Sequence, residues 1–190
     1  MTAASILWRR LDTPGHDVCR LTETGAGRRL DGAAVFLHEG LPALLSYAVT
    51  FDASWQTERG DINGFVGTEP FAVEIVRSSD GIWTHNGDVI RGLEEYVDLD
   101  LGFSPATNLS QIRRLGLAVG EAADCAVAWL DMSTEKLDVL HQRYERRTDS
   151  TYRYEAPRFG YAATLEVDEL GFVRRYPALW EAEPAAEFTE

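Results

Sequence analysis

The sequence predicts a mainly β protein, a curved antiparallel sheet with few short helices. Three observations carry that reading. Apolar and polar residues alternate with period two over many short runs, turn-forming dipeptides separate those runs, and no segment sustains a 3.6-residue apolar stripe.

The elements follow in chain order. Leu45, Tyr47, Val49 and Phe51 share one face, and Ser46, Ala48, Thr50 and Asp52 share the other. Residues 71–76 form a second apolar run. Asp80-Gly81, Ile82-Trp83-Thr84 and Asn86-Gly87 read as consecutive hairpins. Val97, Leu99 and Leu101 then alternate with Asp98 and Asp100, and residues 123–130 form a further strand. Residues 137–147 and 151–155 pair around Thr148-Asp149-Ser150. Tyr161, Ala163, Leu165 and Val167 alternate with polar or small neighbours. Pro14-Gly15, Asp31-Gly32, Asn63-Gly64 and Leu170-Gly171 supply further turn signals. Helix is expected only as short turns, within residues 107–117 after Pro105 and at residues 133–136. Roughly a dozen strands follow from this spacing, and so long a sheet must curl or fold on itself to limit exposed edges.

A chain of 190 residues suits one domain with a sizeable core. We read residues 1–180 as that domain, with halves at about 1–95 and 96–180, and residues 181–190 as an acidic tail with four Glu and no basic residue. The halves rest on the likeness of Tyr47-Ala48-Val49-Thr50-Phe51 to Tyr161-Ala162-Ala163-Thr164-Leu165. The net charge of −13 argues against a nonspecific nucleic-acid binder and against charge-driven docking on an anionic membrane. Among 18 basic residues Lys136 is the only lysine, a bias that GC-rich codons produce without functional cause. No run of about 18 apolar residues predicts membrane insertion, and no signal peptide is seen, so the expected location is cytoplasmic. Cys19 and Cys125 read as two buried thiols, unless the fold brings them together.

Familiar catalytic patterns are absent. His16, His38, His85 and His141 have no metal-ligand spacing, so no metal or cofactor is expected. There is no G-x-S-x-G elbow and no phosphate-binding glycine loop. The most distinctive stretch runs from Asp98-Leu99-Asp100 through Pro105-Ala106-Thr107-Asn108 to Ile112-Arg113-Arg114-Leu115. Alternation puts Asp98 and Asp100 on one face. Arg113 and Arg114 read as the start of the next strand, with side chains on opposite faces, so one of them faces inward to an aspartate. Such a fork either stiffens the sheet as a buried ion pair or presents donors to a ligand.

This stretch resembles the signature of the putative glycolipid-binding protein family, formerly a domain of unknown function. The resemblance continues in Tyr47 with Trp55, in Asp80-Gly81-Ile82-Trp83, in Gln142-Arg143-Tyr144, and from Asp168 to Tyr176-Pro177. One departure is Leu109-Ser110-Gln111, where many members have a Leu-Pro pair. The resemblance implies a spiral β-roll of two similar halves, similar to periplasmic carriers of lipoproteins, and brings no catalytic residues.

The leading expectation is therefore a non-enzymatic binder or carrier of a hydrophobic ligand, such as a glycolipid or other amphiphile, held in the curved sheet. Asp98, Asp100, Asn108 and Arg113 or Arg114 would meet the polar head. Tyr47, Trp55 and Trp129 would line the cavity, although most aromatic residues belong to the core. A rival reading is an enzyme on a sugar- or lipid-like substrate using Asp98, Asp100, Arg114 and His141. Another is a solid roll that acts through protein–protein contact.

Overall fold

Alternation becomes burial along the strands. In Leu41–Phe51 the residues Ala43, Leu45, Tyr47, Val49 and Phe51 are buried, and Leu44 and Ser46 between them are exposed. A computed structural model of the chain describes residues 2–25 and 27–184. It begins with a meander of β1 (Thr2–Arg10), β2 (Gly15–Thr24), β3 (Gly27–His38), β4 (Leu41–Phe51), β5 (Thr57–Val66) and β6 (Glu69–Arg77). Two short strands follow, β7 (Trp83–His85) and β8 (Asp88–Ile90), then the two-residue β9 (Leu99–Asp100) and the helix α1 (Asn108–Leu115). The second meander is β10 (Ala122–Asp131), β11 (Lys136–Thr148), β12 (Thr151–Ala156), β13 (Tyr161–Val167), β14 (Val173–Tyr176) and β15 (Trp180–Ala182).

All strands belong to one sheet in the order β8-β7-β6-β5-β4-β3-β2-β1-β15-β14-β13-β12-β11-β10-β9. Every pairing is antiparallel except β9 with β10. The two meanders meet in the middle, where Trp8 faces Ala182 and Arg10 faces Trp180. Thus Glu181 and Ala182, the first residues of the segment read as a tail, lie in β15, and Arg9 pairs with Glu181 at 3.0 Å. Residues 185–190 lie outside the described residues.

The sheet curls without closing as a ladder. Its two flanks approach where the Thr57 amide donates to the Val97 carbonyl at 2.8 Å and the Leu99 amide to Thr57 Oγ1 at 3.0 Å. The inside of the curl is filled by the chain itself, since residues 103–112, from Phe103 through the first half of α1, are all buried. This plug packs on an inner face that includes Trp8, Leu45, Tyr47, Phe51 and Tyr144.

Four local expectations are corrected. Arg113 and Arg114 do not open a strand; they lie in the last turn of α1, which ends at Gly116 in the left-handed conformation (φ 55°). Residues 133–136 are no helical turn: Ser133, Thr134 and Glu135 form the β10–β11 hairpin turn, and Lys136 opens β11. Asp31-Gly32 and Asn63-Gly64 are not turns but lie inside β3 and β5. Their glycines permit close approach instead. A Cβ on Gly32 would sit 2.2 Å from the Tyr47 ring, and one on Gly64 would sit 1.8 Å from the Leu44 carbonyl oxygen. By contrast, Asn86-Gly87 forms the expected β7–β8 turn, with φ of 51° and 86°. Cys19 and Cys125 are both buried and free.

Candidate functional site

Antiparallel pairing brings alternate strand ends to the same rim. The ends of β1, β3, β10, β12 and β14 and the starts of β11 and β13 surround a cleft of about 520 Å³ at one end of the roll. Its walls are aromatic, with Phe36, Phe103, Trp129, Tyr154, Tyr161 and Tyr176 among them. The Trp129 and Phe159 rings meet edge to face at 5.4 Å. Tyr154, Tyr161 and Tyr176 form a mutual cluster with centroids 5.4 to 6.2 Å apart. Trp129 lies over Gly102, where an added Cβ would come 2.6 Å from the indole nitrogen.

Asp100 lies in this cleft and is held from two sides. Gln142 Nε2 donates to its Oδ2 at 2.6 Å, and the Gly102 amide donates to Oδ1 at 3.0 Å. Neighbouring polar groups stiffen the support. Asn108 Nδ2 donates to the Tyr144 hydroxyl at 2.8 Å, and that hydroxyl donates to Gln111 Oε1 at 2.7 Å. Gln142 Oε1 lies 3.2 Å from the same hydroxyl. No cation pairs with Asp100 among the described residues. Burial pushes its carboxyl up to about 6, against the two donated hydrogen bonds, and the nearby Asp98 charge adds to the rise.

Two more contacts pin the segment from Asp98 to α1, which carries Asp100 and the plug. Arg114 grips the fully buried Asp98 through Nε at 2.9 and 3.0 Å and through Nη2 at 2.5 Å, with Cys125 Sγ 3.5 Å from that Nη2. Burial alone would lower the Arg114 pKa, but the Asp98 fork outweighs it and holds the guanidinium charged. Farther along the plug, the Ser104 hydroxyl donates to Asp17 of β2, which also accepts from the Tyr47 hydroxyl at 3.1 Å. Tyr47 reaches Asp17 across Gly32, the intervening position on β3. Burial pushes the Asp17 carboxyl up to about 7, against those two hydrogen bonds.

The residues singled out from the sequence are therefore divided. Asp100 and Trp129 meet in the aromatic cleft, with Asn108 in the network behind them. Asp98 and Asp100 do share a face, since they reach Cys125 and Gln142, which are directly paired across β10 and β11. The inward arginine is Arg114 and its partner is Asp98. Tyr47 serves Asp17. Trp55 and Arg113 lie at the opposite end of the roll, on a cleft of about 480 Å³ that they share with Arg146, Tyr152 and Asp168. There the Trp55 ring has the Arg28 guanidinium at 4.6 Å and that of Arg113 at 5.8 Å. His141 is exposed, on the face of β11 opposite to buried Gln142.

Sequence reasoning did not single out Asp17, Ser104, Arg10 or the three cleft tyrosines as site residues. One signal was present, since Tyr152 and Tyr154 alternate with charged Arg153 and Glu155. Among the described residues no group of three His, Cys, Asp or Glu side chains is placed to hold a metal ion. No helix of the described residues is long and apolar enough to cross a membrane.

The architecture has a solved counterpart. A crystal structure described as a DUF1089 family protein from Pseudomonas aeruginosa superposes with a TM-score of 0.76 at 25% identity, covering 95% of this chain and 92% of that one. No curated protein sequence matches the chain. The family described as "Putative glycolipid-binding" matches residues 5–182, which include every strand of the second meander and the whole plug, and the chain belongs to that family.

Proposed function

We propose that the protein binds the head of a sugar-bearing amphiphile in the aromatic cleft, without chemistry on it. The observation that carries this reading is the pairing of aromatic walls with one buried carboxyl, Asp100, at a single opening. Sugar rings present C–H faces that pack on aromatic rings and hydroxyls that donate to a carboxylate. The cleft volume falls within the range of about 300–1,000 Å³ typical of small-molecule sites. The family name points the same way. Because the plug fills the inside of the curl, the apolar part of the ligand lies along the cleft, against Phe159, Leu140 and Leu179, and does not thread the roll. The enzyme reading draws less support, because Arg114 is committed to Asp98 and His141 faces outward.

Titration of tryptophan emission with octyl glucoside, kept below its micelle concentration, tests the proposal. Saturable quenching or enhancement that disappears in Trp129→Ala is the expected result. The same titration curve in Trp129→Ala, or no response in the unaltered protein, overturns it.

A further inference from the structure

Two arginines at the aromatic end of the roll, Arg10 and Arg158, are each held by a carboxylate and an aromatic ring together. Arg10 is forked on Asp12 at 2.7 and 3.0 Å and lies 5.1 Å from the Phe36 ring centre and 5.3 Å from that of Trp180. Arg158 is bound to Asp138 at 2.6 Å and lies 4.9 Å from the centre of Trp129. The ring faces there attract positive charge, as their quadrupoles require.

Asp100 completes only part of that pattern. It has aromatic neighbours in Tyr154 and Tyr176, both of which sense its charge, and it has two neutral donors, but no cation. We propose that the cation is supplied by the ligand: the head bound in this cleft carries a positively charged amine, as an amino sugar does, and the amine sits between Asp100 and the tyrosine rings. This rests on the cleft being the ligand site. The other charges facing the cleft agree with it. Asp131 adds negative charge, and Arg10 and Asp12 neutralise each other. His38 also faces the cleft, and Asp98 lies behind Asp100. An anionic head would therefore meet uncompensated carboxylates, while a neutral sugar would leave Asp100 without a counter-charge.

A proton is linked to this binding. Seating an ammonium beside Asp100 favours its charged form, so a carboxyl that sits at about 6 in the free protein gives up its proton when the ligand enters.

Isothermal titration calorimetry at pH 7 with three octyl glycosides of one chain length tests the inference: a glucoside, a glucosaminide and a glucuronide. The glucosaminide is expected to bind at least about tenfold more tightly than the glucoside, and the glucuronide most weakly. In Asp100→Asn the glucosaminide loses its advantage and binds no more tightly than the glucoside. A readout that needs no variant is proton release. At pH 6, in two buffers of different ionisation enthalpy, the unaltered protein should release up to about half a proton per glucosaminide and clearly less per glucoside. Equal binding of glucoside and glucosaminide, with both lost in Trp129→Ala, overturns the amine and leaves the cleft reading standing. Tighter binding of the glucuronide, or absence of proton release, overturns the amine as well. Failure of all three to bind overturns the cleft reading and the amine with it.

Discussion

The two ends of the roll are built from opposite ends of the same strands and both set arginines on rings, yet they differ in how their carboxyls are met. At the Trp55 end, cations predominate on the rings. Arg28 and Arg113 flank Trp55, and Arg146 lies 5.8 Å from Tyr152 while donating to the carbonyls of Leu117 and Asp149. The Asp168 carboxylate there is occupied by the amides of Leu170, Gly171 and Phe172. At the aromatic end, two buried carboxyls have no cation partner among the described residues: Asp100, and Asp17 near the start of β2, whose neighbour Gly15 faces Phe36. The contrast teaches that the rings of one cleft are met by arginines of this chain, while the other cleft presents rings and a buried carboxyl without a cation. Unmet charge is a stronger pointer to a ligand than cleft volume, which is nearly the same at both ends.

The sharpest break of this comparison is Arg114→Ala. It strips the partner from fully buried Asp98, and we expect a loss of about 3–5 kcal/mol in urea unfolding. A loss below about 1 kcal/mol would mean that the Arg114–Asp98 pair does not pin the plug. Next in size is the pH dependence of Asp17. The folded carboxyl holds its proton up to about 7, while the unfolded one releases it near 3.8. Between those values the native state binds more protons, so stability falls as pH rises through that window and levels off above it. The fall is on the order of 4 kcal/mol for this group. Urea unfolding from pH 5 to 8 should show it, with a flatter profile in Asp17→Asn; an equally steep profile places the titration elsewhere.

Trp129→Ala should weaken octyl glucoside binding at least tenfold, about 1.4 kcal/mol, while leaving the Trp55 end untouched. The smallest effect belongs to Arg113→Ala. Arg113 is exposed and contributes one ring contact, so less than about 1 kcal/mol of stability should be lost. Unfolding of the two neighbouring arginine variants side by side then separates a buried pin from a surface stack. Octyl glucoside affinity within about twofold of the unaltered protein in Arg113→Ala keeps the site at the aromatic end.

Some of this is legible in the sequence alone. Period-two alternation named the buried face of β4, because a pleated strand offers no other way to hide Leu45, Tyr47, Val49 and Phe51 together. The same rule put Asp98 and Asp100 on one side; it failed for Arg113 and Arg114, which belong to a helix, and the arginine that reaches Asp98 comes from the last turn of α1. The helix α1 was harder to see, because its inward residues include Asn108, Ser110 and Gln111. A helix buried within a polar network carries no clean apolar stripe.

What the sequence by itself determined was the strand content and the faces of the alternating strands, because these depend on spacing along the chain. What only the tertiary structure decided was which glycines turn and which make room, as Gly32 does for Tyr47, and which tryptophan stands at which end. It also decided that the inside of the roll is plugged and that Asp100 is left beside tyrosines without a cation. Those outcomes depend on the order and curl of a sheet that sets Trp129, Tyr154 and Tyr176 around a loop from earlier in the chain. No local pattern encodes that meeting, because it is the curvature that brings the strands to one rim.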